Sequence, residues 1–152
     1  MTEKKEVADV VAGSEIPWAT FFEGIEVKVL RACFATNTYT LMTRFAPGTV
    51  LPRHKHFGPV EAYTIQGKWH YKEYDWVAKA GDYVHEVPGA THTLHVFDEN
   101  TEPTIVFFIV QGGMALLNDD DEVFLLEDVN MMVERYRDTL EYQGDKMPDL
   151  LD

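Results

Sequence analysis

Residues 48–56 read Gly-Thr-Val-Leu-Pro-Arg-His-Lys-His, directly after Pro47. A Pro-Gly turn followed by this apolar and basic stretch predicts a strand, on which residues i and i+2 point to the same face. His54 and His56 therefore present two imidazoles side by side, which suits adjacent positions on one metal ion. A His-x-His pair taken alone also occurs without a metal, so the interpretation depends on a third ligand from elsewhere.

His92 is the candidate for that third ligand. It ends the stretch Glu86-Val-Pro-Gly-Ala-Thr-His92, in which Pro88-Gly89 predicts a turn leading into a strand. The two stretches together resemble the two sequence motifs of the cupin superfamily. The residues that fit the motifs are Gly48, His54, His56 and Gly67 in the first and Gly81, Gly89 and His92 in the second. The second motif is imperfect, because Val87 replaces its Pro and Val96 its Asn.

The wider stretches 54–77 and 81–94 resemble the 2,4'-dihydroxyacetophenone dioxygenase family and, more distantly, the acetylacetone-cleaving dioxygenases, both of them small cupins. This resemblance implies a non-haem iron(II) bound by His54, His56 and His92, and O2-dependent cleavage of a carbon–carbon bond beside a carbonyl. It also implies an acid at Glu86, six residues before His92, that contacts the ligands rather than the metal itself. Imidazole ligands bind zinc, nickel and copper as well, so the ligand set alone does not select iron.

The carboxylate that completes many cupin sites has no clear position in this sequence. Counting forward from His56 gives Glu61, whereas counting back from Gly67 gives Val60. A slip of one residue turns a side chain to the other face of a strand, so a three-histidine site is the simplest expectation. If Gln66-Gly67 closed a two-residue hairpin, Glu73 would lie opposite Val60 inside the barrel and could bind the metal. Glu73 is therefore a candidate fourth ligand, and Glu86 a candidate acid–base residue.

The segment 68–73 alternates between polar and aromatic residues, which predicts that Trp69 and Tyr71 point inward as an apolar substrate pocket. The alternative, a purely structural role in the core, holds for most of the aromatic residues. His70, His85 and His95 fall on polar or opposite strand faces and are expected to lie outside the metal site.

The pattern along the whole chain predicts an all-β fold, a cupin-type antiparallel barrel or jelly roll, in one domain over residues 1–152. A helix follows, with Asp128 as its N-cap, Gly144 as its stop and an apolar face packed on the barrel or on a partner subunit. The predicted strands are Glu26–Ala32, Thr38–Phe45, Val50–His56, Val60–Ile65, Lys68–Glu73, Tyr83–Val87, Thr91–Val96, Thr104–Val110, Met114–Leu117 and Val123–Leu126.

Composition limits the possible partners and the compartment. The chain of 152 residues carries a net charge of −13, which argues against binding nucleic acid or an anionic membrane. Its single Cys excludes an internal disulfide and a multi-cysteine zinc site, which fits the reducing cytoplasm. The first twelve residues lack the long apolar core of a secretory signal. We also expect a homodimer, because pairing edge strands protects them from aggregation.

Three functional hypotheses follow. The first is an iron(II)-dependent dioxygenase that cleaves a small β-diketone or hydroxyaryl ketone with O2. The second is a non-catalytic, sensor-type cupin that binds zinc or a small ligand. The third is another cupin enzyme, such as an isomerase or a decarboxylase.

Overall fold

A computed structural model describes residues 8–150 and shows thirteen strands followed by one α-helix. The strands are β1 (Ala19–Phe22), β2 (Ile25–Cys33), β3 (Thr38–Phe45), β4 (His54–His56), β5 (Val60–Gln66), β6 (Lys68–Tyr71), β7 (Ala78–Lys79), β8 (Tyr83–Glu86), β9 (Thr91–His92), β10 (Leu94–Val96), β11 (Thr104–Gln111), β12 (Met114–Leu117) and β13 (Val123–Glu127). The helix α1 spans Val129–Gln143, and a short 3-10 turn at Gly13–Glu15 precedes β1.

The strands form three antiparallel sheets that together make the predicted β-barrel. The largest has six strands in the order β1-β2-β3-β11-β5-β8. The second has the order β13-β12-β4-β9, and the third β10-β6-β7. Burial alternates along the long strands β2, β3 and β11, so that every second side chain enters the core. The prediction of an all-β antiparallel fold with a C-terminal helix is confirmed.

Two of the predicted strands differ from the structure in ways that shape the site. The segment predicted as Val50–His56 is a strand only over His54–His56. The segment predicted as Thr91–Val96 is two strands in different sheets, since β9 pairs with β4 and β10 pairs with β6. The chain thus changes sheet at Thr93, directly after the third histidine. The short strands β1 and β7 were not predicted at all.

The predicted hairpin at Gln66-Gly67 is wrong. Strand β5 pairs with β11 and β8, whereas β6 pairs with β10 and β7, so the chain passes from one sheet to another at Gly67. Gly67 has a φ of +84°, and a Cβ there would lie 2.2 Å from Oγ1 of Thr104. The glycine therefore forms a tight barrel corner against β11, a role that the sequence pattern does not distinguish from a hairpin turn.

Helix α1 begins and ends where the sequence predicts. The Asp128 side chain accepts a hydrogen bond of 2.8 Å from the backbone N–H of Met131, and Gly144 adopts the left-handed conformation. Its buried face packs against β1, β2 and β13, which confirms that the helix covers the outside of the β unit. Within residues 8–150, no helix combines the length and the apolar character needed to cross a membrane.

Candidate metal centre

Three buried histidines meet in the four-stranded sheet. His54 and His56 lie on β4, where strand alternation turns both rings to the interior. His92 lies on β9 directly opposite His54, because the two strands pair in that register. One ring nitrogen from each histidine lies within 4.8 Å of those of the other two. The structure therefore brings together the three residues that the sequence predicted as ligands.

The turn before β9 sets this register. The backbone N–H of His56 donates to the carbonyl of Ala90, at 2.9 Å, and the N–H of Gly89 donates to the carbonyl of His56, at 2.8 Å. The Pro88-Gly89 turn is thus tied to β4 by two hydrogen bonds. These bonds fix the distance between the His-x-His pair and His92 before any metal binds.

The protonation state of the histidines suits metal binding. Nδ1 of His54 lies 3.0 Å from the Pro52 carbonyl, which can only accept, so this nitrogen carries the proton and Nε2 keeps its lone pair. Burial lowers the pKa of His54 well below its ordinary range and lowers the pKa of His56 to about 4. Both imidazoles are therefore neutral at pH 7, and a neutral imidazole is the form that binds a metal.

Glu86 supplies a buried carboxylate to the same place. It ends β8, which pairs with β5 so that Glu86 lies opposite Val60. Its Oε1 lies 2.8 Å from Nε2 of His92 and 3.5 Å from Nε2 of His56, and its Oε2 accepts a hydrogen bond of 2.6 Å from the Tyr71 hydroxyl. Burial alone would raise the pKa of Glu86, but the contacts with His92, His56 and Tyr71 hold it below its ordinary value.

The other two carboxylates considered from the sequence lie elsewhere. Glu61 is on the opposite face of β5 from the buried Val60 and accepts a hydrogen bond from the exposed Tyr83. The expectation that Glu73 points into the barrel is wrong, because β6 ends at Tyr71 and Glu73 is exposed in the following turn. Its Oε1 accepts a hydrogen bond of 2.7 Å from the N–H of Thr93. Glu73 thus fastens the chain beside His92 but lies outside the three-histidine cluster.

The arrangement of donors fits a divalent metal ion. Nε2 of His92 and Oε1 of Glu86 are both buried and only 2.8 Å apart, yet neither has a hydrogen-bond partner with acceptable geometry. Buried polar atoms without partners are unusual, and two that lie this close suit a shared cation. Neutral imidazole nitrogens are ligands for first-row divalent metals, and the set does not identify which one.

A narrow apolar cavity of about 70 Å³ adjoins the histidines. His54, His56 and Tyr71 contribute to its lining, together with apolar side chains such as Leu41 and Phe108. The ring of Tyr71 stacks on His92 at 3.5 Å between centroids, with 9° between the planes. Trp69 is fully buried and packs edge-on against Tyr71, and it is not among the residues that line this cavity. The prediction that both aromatic residues point inward is confirmed.

Comparison with known proteins agrees with this geometry. Residues 6–115 match the family described as the ChrR cupin-like domain. The chain belongs to the ChrR cupin-like family. No protein of curated function matches the sequence.

Solved structures of cupins superpose on most of the chain. An RmlC-like cupin protein from Ralstonia eutropha JMP134 has a TM-score of 0.86 at 30% identity, covering 95% of this chain and 94% of its own. An acetylacetone dioxygenase from Acinetobacter johnsonii has a TM-score of 0.76 at 19% identity, with coverages of 91% and 96%. The complex of Rhodobacter sphaeroides SigE with the anti-sigma ChrR has a TM-score of 0.55 at 17% identity, with coverages of 65% and 50%. The last two show a shared fold only.

Two histidine contacts in this cupin were not predicted from the sequence, one at the cluster and one outside it. Tyr74 places its hydroxyl 3.4 Å from Nδ1 of His92, although it follows β6 in a turn. On the outer surface, Nε2 of His70 lies 2.8 Å from Nδ1 of His95, across the pairing of β6 and β10. The polar alternation of β6 placed His70 outside the metal site, but only the β6–β10 register shows that it contacts His95.

Proposed function

We propose that this cupin is a cytoplasmic iron(II)-dependent dioxygenase that cleaves a carbon–carbon bond beside a carbonyl in a small β-diketone or hydroxyaryl ketone. His54, His56 and His92 would hold the metal. One observation carries the proposal: three buried histidines form a cluster beside an apolar cavity, and the buried Glu86 carboxylate contacts His92. The resemblance of the histidine motifs to the carbonyl-cleaving dioxygenases and the fold shared with an acetylacetone dioxygenase support it.

The residues around the cluster have distinct tasks in this proposal. Bound iron supplies the site at which the enolate of the substrate and O2 react. Glu86 accepts the proton that a β-diketone or hydroxyketone loses on forming its enolate, since it is ionised and buried beside the histidines. The ring of Tyr71, stacked on His92, and the apolar wall of the cavity hold the carbon skeleton and exclude water.

A substrate bound in this cavity, rather than in the separate cavity of about 540 Å³ that Glu86 lines, would belong to the smaller of the two substrate classes. The volume of the apolar cavity, about 70 Å³, is far below the roughly 300–1,000 Å³ of pockets for drug-sized ligands. A short β-diketone therefore fits with less rearrangement than a hydroxyaryl ketone. We expect higher kcat/KM for acetylacetone than for 2,4'-dihydroxyacetophenone.

The test compares His92→Ala with His85→Ala. His92 belongs to the cluster, whereas His85 is exposed on β8 and serves as the matched control. After anaerobic loading with iron(II), we expect His92→Ala to lose bound iron and diketone-dependent O2 uptake, and His85→Ala to keep both. Retention of iron and turnover by His92→Ala would refute the ligand assignment.

A sensor-type cupin is the second candidate, because the matching family takes its description from ChrR and one superposed structure contains the anti-sigma ChrR. In that case the protein as isolated would hold zinc tightly, and the iron-loaded form would consume no O2 with any diketone. Conversion of a carbonyl substrate without O2 uptake would instead favour the third candidate, an isomerase or a decarboxylase.

We also propose a homodimer formed through an edge strand. Strand β13 lies at the end of its sheet and exposes Phe124 and Leu126, which pairing with a second copy would cover. Light scattering on the purified protein checks this proposal, and a monomer would contradict it.

A further inference from the structure

We propose that Glu86 is a direct ligand of the metal, supplied by β8 in place of the carboxylate that the first cupin motif places on β5. The inference deepens the proposed function, because it assumes that a metal binds to His54, His56 and His92. It gives the substrate-free site four protein ligands, three nitrogens and one oxygen.

The position of Glu86 follows from strand pairing. Counting back from Gly67 along the first cupin motif places Val60 at the position of the ligand carboxylate. Its side chain is buried but has no atom that could bind a metal. Val60 and Glu86 are directly opposite in the β5–β8 ladder, so their side chains lie on the same face, roughly 5 Å apart at Cβ. The carboxylate thus reaches the same region from the neighbouring strand, while Glu61 points to the other face.

The distances match those between adjacent donors on one metal ion. Bonds of about 2.0–2.2 Å from the metal to nitrogen and oxygen, set at right angles, place neighbouring donors roughly 3 Å apart. Oε1 of Glu86 lies 2.8 Å from Nε2 of His92 and 3.5 Å from Nε2 of His56. The contact between Oε1 and Nε2 of His92 is as short as a hydrogen bond, but its angles are not those of one, which leaves both atoms available to a shared cation.

A second contact orients the carboxylate for this role. The Tyr71 hydroxyl donates to Oε2 at 2.6 Å, which leaves Oε1 as the free oxygen facing the histidines. Such support of a ligand by an outer hydrogen bond is common at metal sites. The role would be compatible with proton transfer, since Oε1 is the oxygen of Glu86 that faces the histidines and would accept the proton that the substrate loses.

The direct test is crystallography of wild-type protein loaded with iron(II) or zinc, without substrate. We expect a bond of about 2.0–2.2 Å between the metal and Oε1 of Glu86. A metal held by the three histidines and water, with Oε1 beyond 3 Å, would overturn the proposal. This measurement needs neither a variant nor turnover.

A variant pair adds a solution readout. In cobalt(II)-loaded protein, we expect Glu86→Gln to change the visible absorption bands of the metal and to weaken cobalt binding at least tenfold. Glu61→Gln should leave both unchanged, because Glu61 bonds Tyr83 on the opposite face. Unchanged cobalt spectra in a folded Glu86→Gln protein would contradict direct binding.

The outcomes separate this inference from the proposed function. A metal–Glu86 bond in a protein that never consumes O2 would support the ligand and refute the dioxygenase. Diketone cleavage by a site in which Glu86 does not bind the metal would support the dioxygenase and refute the ligand.

Discussion

Tyr71 makes two contacts at the metal centre that no other described residue combines. Its ring stacks on His92, and its hydroxyl donates to Glu86. Burial, followed by the nearby Glu86 charge, raises the pKa of Tyr71 well above its ordinary range, so the hydroxyl keeps its proton and acts only as a donor to that carboxylate. This single residue therefore positions the ring of His92 and the carboxylate beside it.

Replacement of Tyr71 by Phe tests the positioning. The stacked ring remains, whereas Oε2 of the buried Glu86 loses its donor, which we expect to cost about 1–3 kcal/mol of stability. The pKa of Glu86 should rise, so the acidic limb of the pH–kcat/KM profile should move to higher pH. Tyr83→Phe is the matched control. It also removes a hydrogen bond from a tyrosine hydroxyl to a glutamate, at 2.7 Å, but the acceptor is Glu61, which lies away from the histidines. Identical profiles for the two variants would contradict this role.

The depressed pKa values of His54 and His56 predict how the metal-free protein responds to acid. An unfolded chain binds a proton at each histidine near pH 6.5, whereas folded His56 resists protonation until about pH 4. The unfolded state therefore binds more protons in this window, so the stability falls as the pH falls from about 6.5 to 4. For His56 alone the loss is on the order of 3 kcal/mol. Urea denaturation at several pH values measures this loss. A free energy of unfolding that stays constant or rises toward pH 4 would contradict the depressed histidine pKa values.

Among the strands and turns, the corner at Gly67 shows which features the sequence predicts and which it does not. Alternation is a local property, so the inward faces of β4 and β6 and the limits of β3 and α1 were predicted correctly. The partner of a strand is a non-local property. The same Gln-Gly pair closes a hairpin or turns a corner, and only packing against Thr104 decides between them.

The carboxylate of the site shows the same difference between local patterns, which the sequence predicts, and strand partners, which it does not. The sequence predicted that a carboxylate would lie opposite Val60, but it assigned Glu73 because the hairpin was assumed. In the structure β8 is the neighbour of β5, so Glu86 occupies that position. The histidines were found without this knowledge, because His-x-His and the turn before His92 are signals within short stretches.

Gly67→Ala tests the corner. A methyl group there would lie 2.8 Å from the Thr104 backbone and would require an unfavourable positive φ. Gly81→Ala is the control, since Gly81 has a φ of +93° but open space around it. We expect roughly 1–2 kcal/mol of destabilisation at Gly81 from the backbone conformation alone and clearly more at Gly67. Denaturant titrations measure the free energy of unfolding of both variants. Equal losses would show that close packing at the Gly67 corner is unimportant.

At the scale of the whole molecule, the barrel provides a dry interior around a site with a defined charge. Since imidazoles bind a metal in their neutral form, three of them and one carboxylate would leave a bound divalent cation with a net charge of about +1, which would attract an enolate. The overall charge of −13 does not contribute to this chemistry directly. Because the cupin fold serves enzymes and sensors alike, the fold does not decide the activity; the buried donors and the adjoining cavity do.

In the proposed activity, the site binds a small carbonyl compound on iron and consumes O2. The most direct measurement is an anaerobic titration of the iron(II)-loaded protein with acetylacetone, followed by admission of O2. We predict a new absorption band that saturates at one diketone per iron and then disappears as one O2 is consumed per diketone cleaved. An iron-loaded protein that shows no new band and takes up no O2 would contradict the account.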